Sequence, residues 1–501
     1  MEDNSINLKH LIKKLGKDSI IYAPAKLITG FINIISGAIF TRIFNPDDYG
    51  HYILILTTTT ILSAIFSQWI MQSILRYRPE YVINGKKNIF NKNFLLILLL
   101  NTVFISLLTA GIYPFNKILG NYRNFYLISF FIVVSQIWFD NLGSVFQADL
   151  KSFTYSFYTI FNSVLKLGLA LILILLSRNI TALLWSIVLS YIFSSIPMVI
   201  ILLKSDQKTS IQKRTYDNGT IEEGFTSFSK QFFSYGFPMI GWFLGAQLLN
   251  MSDRYFIQIF RGSEEVGIYG ANYNLVASVI SFLSMPLLTA AHPLLMKAGT
   301  AVRTNKEEVQ NIITLFSRYF LIIAIPTLLY VSILSKELAN ISLGLEYRQG
   351  YVILPIILFG LLVWSFALFG HKGLEFRGKT NIMFMYVMIC TALKIILSLI
   401  FVPRYGYKAA AITTSICFFM YPVFVYYGTK SDIKWIIPWM SLAKITISAF
   451  LSAIPMIFIK ILWPLPSFLL TLFVASIIPI YFIMLYFLKE FSLMRLIISK
   501  D

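Results

Sequence analysis

The chain contains few charged residues and few side chains that could bind a metal or form a disulfide. Only 13% of its 501 residues are charged and 57% are hydrophobic, whereas a soluble domain averages about 25% charged residues. It has two cysteines, Cys390 and Cys417, each inside an apolar run. We therefore predict that both thiols are small buried hydrophobes. The composition excludes a soluble globular protein and predicts an integral membrane protein.

Polar segments long enough to form a soluble domain are also missing. The longest polar stretch, 204–231, is too short for a nucleotide-binding or catalytic domain. Residues 373–380 match the phosphate-loop pattern G-x-x-x-x-G-K-[ST], but that loop must follow a strand and open a helix of an α/β domain. Here it joins two apolar runs. We predict no cofactor, no metal, no nucleotide or nucleic-acid ligand, and no enzymatic activity.

Apolar runs of membrane-spanning length dominate the sequence. A span needs about 20 mainly apolar residues, and about fourteen such runs are present. The predicted fold class is an all-α polytopic membrane protein. The runs lie near 19–43, 50–75, 93–113, 124–147, 153–176, 180–203, 232–257, 267–295, 310–334, 350–370, 381–402, 407–429, 439–462 and 465–488.

The basic residues predict how the chain is oriented in the membrane. Leu8, Leu11, Ile12 and Leu15 recur at helical spacing between lysines, which is typical of a basic amphipathic helix at a membrane interface. If the N-terminus is inside, most Lys and Arg, including Arg78, fall in cytoplasmic segments, as the positive-inside rule requires. We predict a multi-pass protein of the cell membrane with both termini in the cytoplasm.

An internal repeat divides the chain. Residues 41–52 resemble residues 257–269, with Gly50 aligned to Gly267. Both copies have the same predicted orientation, so the repeat is parallel, which is a transporter architecture. The predicted parts are an interfacial helix (1–18), an N-lobe (19–203), a cytoplasmic loop (204–231), a C-lobe (232–430), and an extra helix pair with a cytoplasmic tail (431–501).

Ionisable residues inside the spans are the candidate site. Each costs about 2.5–3.5 kcal/mol at a helix centre and normally faces the bundle interior or a wet cavity. The deep set is mainly cationic, which suits an anionic solute such as phosphate. The two acids are candidates for ion coupling or charge pairing, and Asp140 could instead neutralise Lys166. The candidates are Lys26, Lys166, Arg254, Arg318 and Lys394, with Asp140 and Asp253.

Proline and glycine interrupt the opening helix of both repeats. Proline removes a backbone hydrogen bond and permits a kink. We predict hinges at Pro24 in the first span, and at Pro238, Gly241 and Gly245 in the seventh.

Four stretches resemble the polysaccharide-biosynthesis flippases, the O-antigen and capsule repeat-unit family of the multidrug/oligosaccharidyl-lipid/polysaccharide exporter superfamily. The resemblance implies two parallel six-helix lobes around a central cavity, with a C-terminal helix pair. It also implies alternating access that moves a polyprenyl-diphosphate-linked oligosaccharide from the inner to the outer leaflet. The Ser-Asp-Arg run at 252–254 matches a recurrent family feature. The four stretches are 37–55, 143–166, 248–276 and 399–416.

The resemblance further implies partners and leaves alternatives open. The expected partners are the lipid-linked oligosaccharide, membrane lipids, and a polysaccharide polymerase or glycosyltransferases. A cation-coupled multidrug exporter of the same superfamily is the main alternative, although its cationic substrates would favour an acidic cavity. A membrane-embedded glycosyltransferase or polymerase is a further alternative, against which the lack of a large external loop argues.

Overall fold

The computed structural model describes residues 8–213, 224–283, 306–430, 433–462 and 466–490. Regular structure throughout these ranges is helical, which confirms the predicted all-α polytopic fold. Residues 1–7 of the predicted interfacial helix lie outside the described part, and Leu8 begins the first helix. Cys390 and Cys417 are both buried, as predicted for small hydrophobes.

Helices α1 to α7 cover the first half of the chain. Their lengths follow from long apolar runs that only turn or proline residues interrupt. The helices are α1 (Leu8–Ile43), α2 (Pro46–Ile83), α3 (Lys87–Ile112), α4 (Tyr126–Ala148), α5 (Ser152–Leu176), α6 (Ile180–Lys213) and α7 (Phe225–Met251), with a 3₁₀ segment at Tyr113–Phe125.

Helices α8 to α16 cover the second half. Three of these described helices are short, and each follows directly on a longer one. The helices are α8 (Asp253–Arg261), α9 (Ser263–Leu283), α10 (Lys306–Ile333), α11 (Ser335–Ser342), α12 (Leu354–Gly370), α13 (Lys372–Phe376), α14 (Thr380–Gly428), α15 (Trp439–Leu462) and α16 (Ser467–Phe487), with a 3₁₀ segment at Leu345–Ile353.

Ten helical segments within the described residues are long and apolar enough to cross a membrane. The count of about fourteen spans stays a prediction, because part of the predicted span 267–295 lies outside the described residues. Two predicted spans, 381–402 and 407–429, belong to the single element α14. That helix turns sharply at Gly406, whose φ of 58° and ψ of −143° are accessible to glycine. Gly373 lies in α13 and Thr380 begins α14, so the phosphate-loop match joins two helices.

Packing divides the chain into two compact units. The first unit contains Met1–Gly50 and Ser252–Asp501, and the second contains His51–Met251. The first unit therefore includes α1, the start of α2 and all helices from α8 onward. The lobes 19–203 and 232–430 stay a prediction from the sequence repeat.

The second unit has an aromatic core and a buried ion pair beside it. Phe90 of α3 stacks with Phe94 and contacts Phe228 and Phe232 of α7. The guanidinium of Arg78, which is fully buried, lies 5.1 Å from the ring centre of Phe90. These ring–ring contacts hold α3 against α7, and the guanidinium of Arg78 joins α2 to the same cluster.

Arg78 is hydrogen-bonded at every nitrogen of its guanidinium. Its Nε donates to Asp149 Oδ1 at 2.6 Å and its Nη2 to Asp149 Oδ2 at 2.9 Å. Its Nη1 donates to Asn91 Oδ1 at 2.6 Å. A bidentate pair of this kind joins α2 to the turn after α4 and satisfies the buried charge. Arg78 was predicted to be one of the cytoplasmic charges, but in the structure it is a buried residue that links α2 to α3 and to the turn after α4.

The first unit brings the two copies of the repeat into direct contact. A Cβ atom on Gly50 would collide with the carbonyl oxygen of Ser263, and one on Gly267 would collide with that of Pro46. Pro46 and Ser263 occupy equivalent places in the repeat, so the contact is reciprocal. Small residues allow the starts of α2 and α9 to cross at backbone distance.

Candidate functional site

Helix α8 begins with two buried charged residues. Asp253 and Arg254 are buried, whereas Ile259 and Phe260 near the other end of the helix are 71% and 40% exposed. A helix with an apolar outer face and a polar inner face satisfies its charges against neighbouring helices. Helix α7 ends at Met251 and α8 begins at Asp253, and both charged side chains are buried within the first unit.

The Asp253 carboxylate is the group that most of the other polar side chains of the site contact. Its Oδ2 lies 3.4 Å from Lys394 Nζ and accepts a hydrogen bond of 3.1 Å from Thr414 Oγ1. The hydroxyl of Tyr269 also donates to Oδ2, and the Arg254 backbone N–H donates to Oδ1 at 3.0 Å. Four donors from α8, α9 and α14 therefore surround one carboxylate.

Arg254 is buried next to that carboxylate but is poorly satisfied. Its side chain is only 4% exposed, and its Nη1 lies 3.9 Å from Asp253 Oδ1, beyond hydrogen-bonding distance. Its guanidinium carbon lies 4.7 Å from the ring centre of Tyr273. Among the described residues, neither Nε nor Nη1 has a hydrogen-bond partner. A buried guanidinium with two unused donors is costly unless a ligand completes it.

Lys394 lies in the first half of α14 and is 0% exposed. Together with Asp253 and Arg254 it forms a group of three charges that sums to +1. The structure thus brings together three of the seven predicted charged site residues. This group, with Tyr269, Tyr273 and Thr414, is called the α8 site below.

Arg318 is also in the first unit, but it binds an acid of its own. Its Nε donates to Glu490 Oε1 at 2.5 Å, and its Nη2 donates to the Glu490 carbonyl oxygen. Both side chains are largely buried, at 10% and 2% exposure. The pair attaches the turn that follows α16 to α10, so the charge of Arg318 is compensated inside the protein.

The remaining predicted charges lie elsewhere. Lys26 is a partly buried residue of α1. Asp140 in α4 and Lys166 in α5 belong to the second unit, and both are partly buried. Within the ranges that the structure describes, no ion pair involves Lys166. The interpretation of these residues as substrate or coupling sites stays a prediction.

The four predicted hinge residues all lie within helices. Pro24 is an exposed residue inside α1. Pro238, Gly241 and Gly245 lie inside α7, where Gly245 is buried and Gly241 partly buried. Their role as hinges stays a prediction, because one conformation shows no movement.

Sequence reasoning missed the uncharged members of the α8 site. Tyr269 ends the second copy of the repeat and Tyr273 follows it by one helical turn, so the repeat pointed to this part of the chain. Thr414 lies 161 residues from Asp253 along the chain. It carried no signal, because threonine is common in membrane helices and its partner depends on how α14 is packed.

The fold and the α8 site define a class: a polytopic membrane protein with a partly compensated cationic group inside its helices. Residues 15–298 match the family described as "Polysaccharide biosynthesis protein". Since that match covers more than half of the chain, the protein belongs to this family. The match begins in α1 and includes the second-unit helices and the α8 and α9 residues of the α8 site, whereas Lys394 and Thr414 lie beyond it.

Known relatives agree with that class. The chain is 21% identical over 492 residues to the uncharacterized membrane protein MJ1068 of Methanocaldococcus jannaschii, covering 90% of this chain and 92% of that one. The inward closed conformation of the lipid II flippase MurJ superposes with a TM-score of 0.74 at 15% identity, covering 94% of this chain and all of that one.

Transporters of the multidrug and toxic-compound class share the fold more distantly. The inward-facing conformation of a multidrug resistance MATE transporter gives a TM-score of 0.59 at 12% identity, covering 82% of this chain and 97% of that one. A MOP superfamily transporter from Pyrococcus furiosus, described as having a binding pocket of reverse polarity, also gives 0.59, at 14% identity, and covers 83% and 95%. At these identities the likeness establishes the fold alone.

Proposed function

We propose that this protein is a flippase for a phosphate-bearing, lipid-linked oligosaccharide of polysaccharide biosynthesis. In this proposal it moves the lipid from the inner to the outer leaflet of the cell membrane by alternating access. The observation that carries the proposal is the buried guanidinium of Arg254, whose Nε and Nη1 lack partners among the described residues.

The chemistry of Arg254 favours an anion with several oxygen acceptors. A guanidinium presents planar N–H donors that match phosphate, and charge-assisted hydrogen bonds of this kind are the stronger ones. Asp253 is already engaged by Lys394 and Thr414. It therefore compensates only part of the local positive charge, and one negative charge from a diphosphate would complete the group.

Burial of the site fits a transport cycle better than a permanently open binding site. Arg254 is only 3% exposed, so a phosphate can reach it only in another conformation. A ligand that binds one conformation better than the other shifts the equilibrium between them. In the proposed cycle the sugar crosses through water while the lipid tail stays in the bilayer.

The comparisons support the substrate class without naming the sugar. The family description refers to polysaccharide biosynthesis, and MurJ is described as a lipid II flippase. We extend the proposal to a cell-membrane location with both termini in the cytoplasm. A polymerase or glycosyltransferases of the same biosynthesis are the proposed partners.

A multidrug exporter is the second candidate, because the fold is shared with MATE transporters. A cationic drug would need an acidic group that is free to bind it. The buried carboxylate of Asp253 is instead held by Lys394 at 3.4 Å. The α8 site therefore favours an anionic passenger over a cationic one.

Leaflet-resolved transport in proteoliposomes tests the proposal. The substrate is a fluorescent polyprenyl-diphosphate-linked disaccharide, and a membrane-impermeant reductant reports the fraction in the outer leaflet. We expect Arg254→Ala to slow transport roughly tenfold to a hundredfold, as expected for losing charge-assisted hydrogen bonds. Arg254→Lys should keep part of the rate, because it restores the charge without the planar donors.

Arg261→Ala is the matched control, since Arg261 ends the same helix and its side chain is 41% exposed. Its transport rate should equal that of the unmodified protein. Unchanged transport by Arg254→Ala would refute the proposed anion contact. Protection of cells against cationic dyes, with no movement of the labelled lipid, would favour the multidrug exporter.

A further inference from the structure

The surroundings of Asp253 resemble those of a bound cation, with an amine in the cation's place. The carboxylate and the Lys394 ammonium are both 0% exposed and lie 3.4 Å apart. The hydroxyl groups of Thr414 and Tyr269 converge on the same carboxylate oxygen. A carboxylate with converging hydroxyl groups is the oxygen-rich chemistry that hard cations prefer.

We infer that the Lys394 ammonium fills a monovalent cation site at Asp253, so that the protein carries its own counter-cation there and binds no free Na⁺ at this carboxylate. Removing the amine without filling its volume should open the site to Na⁺. This inference concerns only the cation beside Asp253, and it does not depend on which substrate binds at Arg254.

Charge balance supports this inference. A carboxylate at 0% exposure needs a cation beside it, because an isolated buried charge is strongly destabilising. The ammonium supplies that charge from α14 without a binding step. Sequence alone made Asp253 a candidate for ion coupling. The geometry instead assigns its compensation to a covalently attached charge that cannot leave with the passenger.

Two further hydroxyl groups near the pair could complete a cation site. Ser252 precedes Asp253 in the chain, and Ser398 lies one helical turn after Lys394 on the same face of α14. Both hydroxyl oxygens are buried and lack a hydrogen-bond partner in the described part of the chain. Neutral oxygens of this kind would serve as additional ligands for Na⁺ if the ammonium were absent.

Binding of ²²Na⁺ to the purified full-length protein tests the inference. The wild type should bind no more ²²Na⁺ than Asp253→Asn. Lys394→Ala should gain saturable binding, at least roughly tenfold tighter than any wild-type signal, and the melting temperature should rise with NaCl but not with an equal concentration of N-methyl-D-glucamine chloride. The double variant Lys394→Ala with Asp253→Asn should lose this gain.

Lys394→Met is the matched control, because methionine occupies nearly the same volume and leaves no space for an ion. It should not bind ²²Na⁺. Wild-type binding that Asp253→Asn abolishes would overturn the inference even if Lys394→Ala fails to fold. A folded Lys394→Ala that binds no ²²Na⁺ would also overturn it. The assay contains no lipid-linked sugar, so its failure is separate from failure of the proposed function.

Discussion

Arg78 in the second unit and Arg254 in the first are both buried arginines beside an aromatic ring, but they differ in how they are satisfied. Arg78 donates three hydrogen bonds of 2.6–2.9 Å to Asp149 and Asn91. Arg254 has two donors without partners among the described residues. The guanidinium of Arg78 is therefore fully hydrogen-bonded without a ligand, whereas that of Arg254 is not.

This difference shows that burial of a charge does not by itself mark a functional site. Arg318 is a third case, because its pairing with Glu490 resembles that of Arg78. A fully paired buried charge holds the helices in one particular packing. An incompletely paired charge keeps hydrogen-bond donors that a ligand can still use. We therefore expect stability to depend on Arg78 and Arg318, and transport to depend on Arg254.

Arg78→Met should have the largest effect on stability. It removes the bidentate partner of the largely buried Asp149 and leaves only the exposed Lys151, 3.8 Å away, beside that carboxylate, so we expect a cost of about 3–5 kcal/mol. The free energy of unfolding in detergent measures the loss. Arg76→Met is the control, because Arg76 is exposed two residues earlier in the same helix. If the two variants had equal free energies of unfolding, the buried pairing of Arg78 would not contribute to stability.

Arg318→Met and Glu490→Gln should have the next largest effects. Because each removes one side of the same buried pair, their effects should not add. A double-mutant cycle should give a coupling free energy of about 1–3 kcal/mol. Additive losses would show that the two side chains act independently, and Arg318 would return to the candidates for the anion site.

Arg254→Met should change the free energy of unfolding by less than about 1 kcal/mol, because it removes a charge whose donors are incompletely used. The same variant should lose transport. Thermal unfolding and transport of one preparation would measure both. A loss of stability as large as that of Arg78→Met would mean that Arg254 is a structural residue.

Arg261→Ala should have the smallest effect. Arg261 pairs at 2.7 Å with Glu265, which lies four residues later at the start of α9, and 41% of the Arg261 side chain is exposed. Pairs of this type on helix surfaces contribute about 0.3–0.5 kcal/mol. Unfolding measurements at low and high salt should show a small difference that salt removes. A loss of more than about 1 kcal/mol would contradict the expectation that exposed ion pairs stabilise the protein less than buried ones.

The sequence predicted the membrane fold and the key pair of residues for physical reasons. Long apolar runs can be satisfied only by spanning helices, and the repeat copies Gly50 and Gly267 do lie against each other. Asp253 and Arg254 were found because charges are costly inside a span and because they match a family feature.

Pairing could not be predicted, because sequence gives the depth of a residue along its own helix but not the neighbour that its side chain faces. Arg318 was a deep cation by position, yet its partner Glu490 is 172 residues away. Arg78 was counted with the cytoplasmic charges, although it is completely buried. Tyrosines of the α8 site were hidden among 28 tyrosines in the chain.

The central claim is that Arg254 contacts the phosphate group of the passenger. The most direct measurement is the affinity of the purified protein for a short-chain polyprenyl diphosphate and for the matching polyprenyl alcohol, before and after Arg254→Met. We predict that the unmodified protein prefers the diphosphate by roughly tenfold or more and that the variant loses this preference while still binding the alcohol. A variant that keeps the full preference would contradict the account.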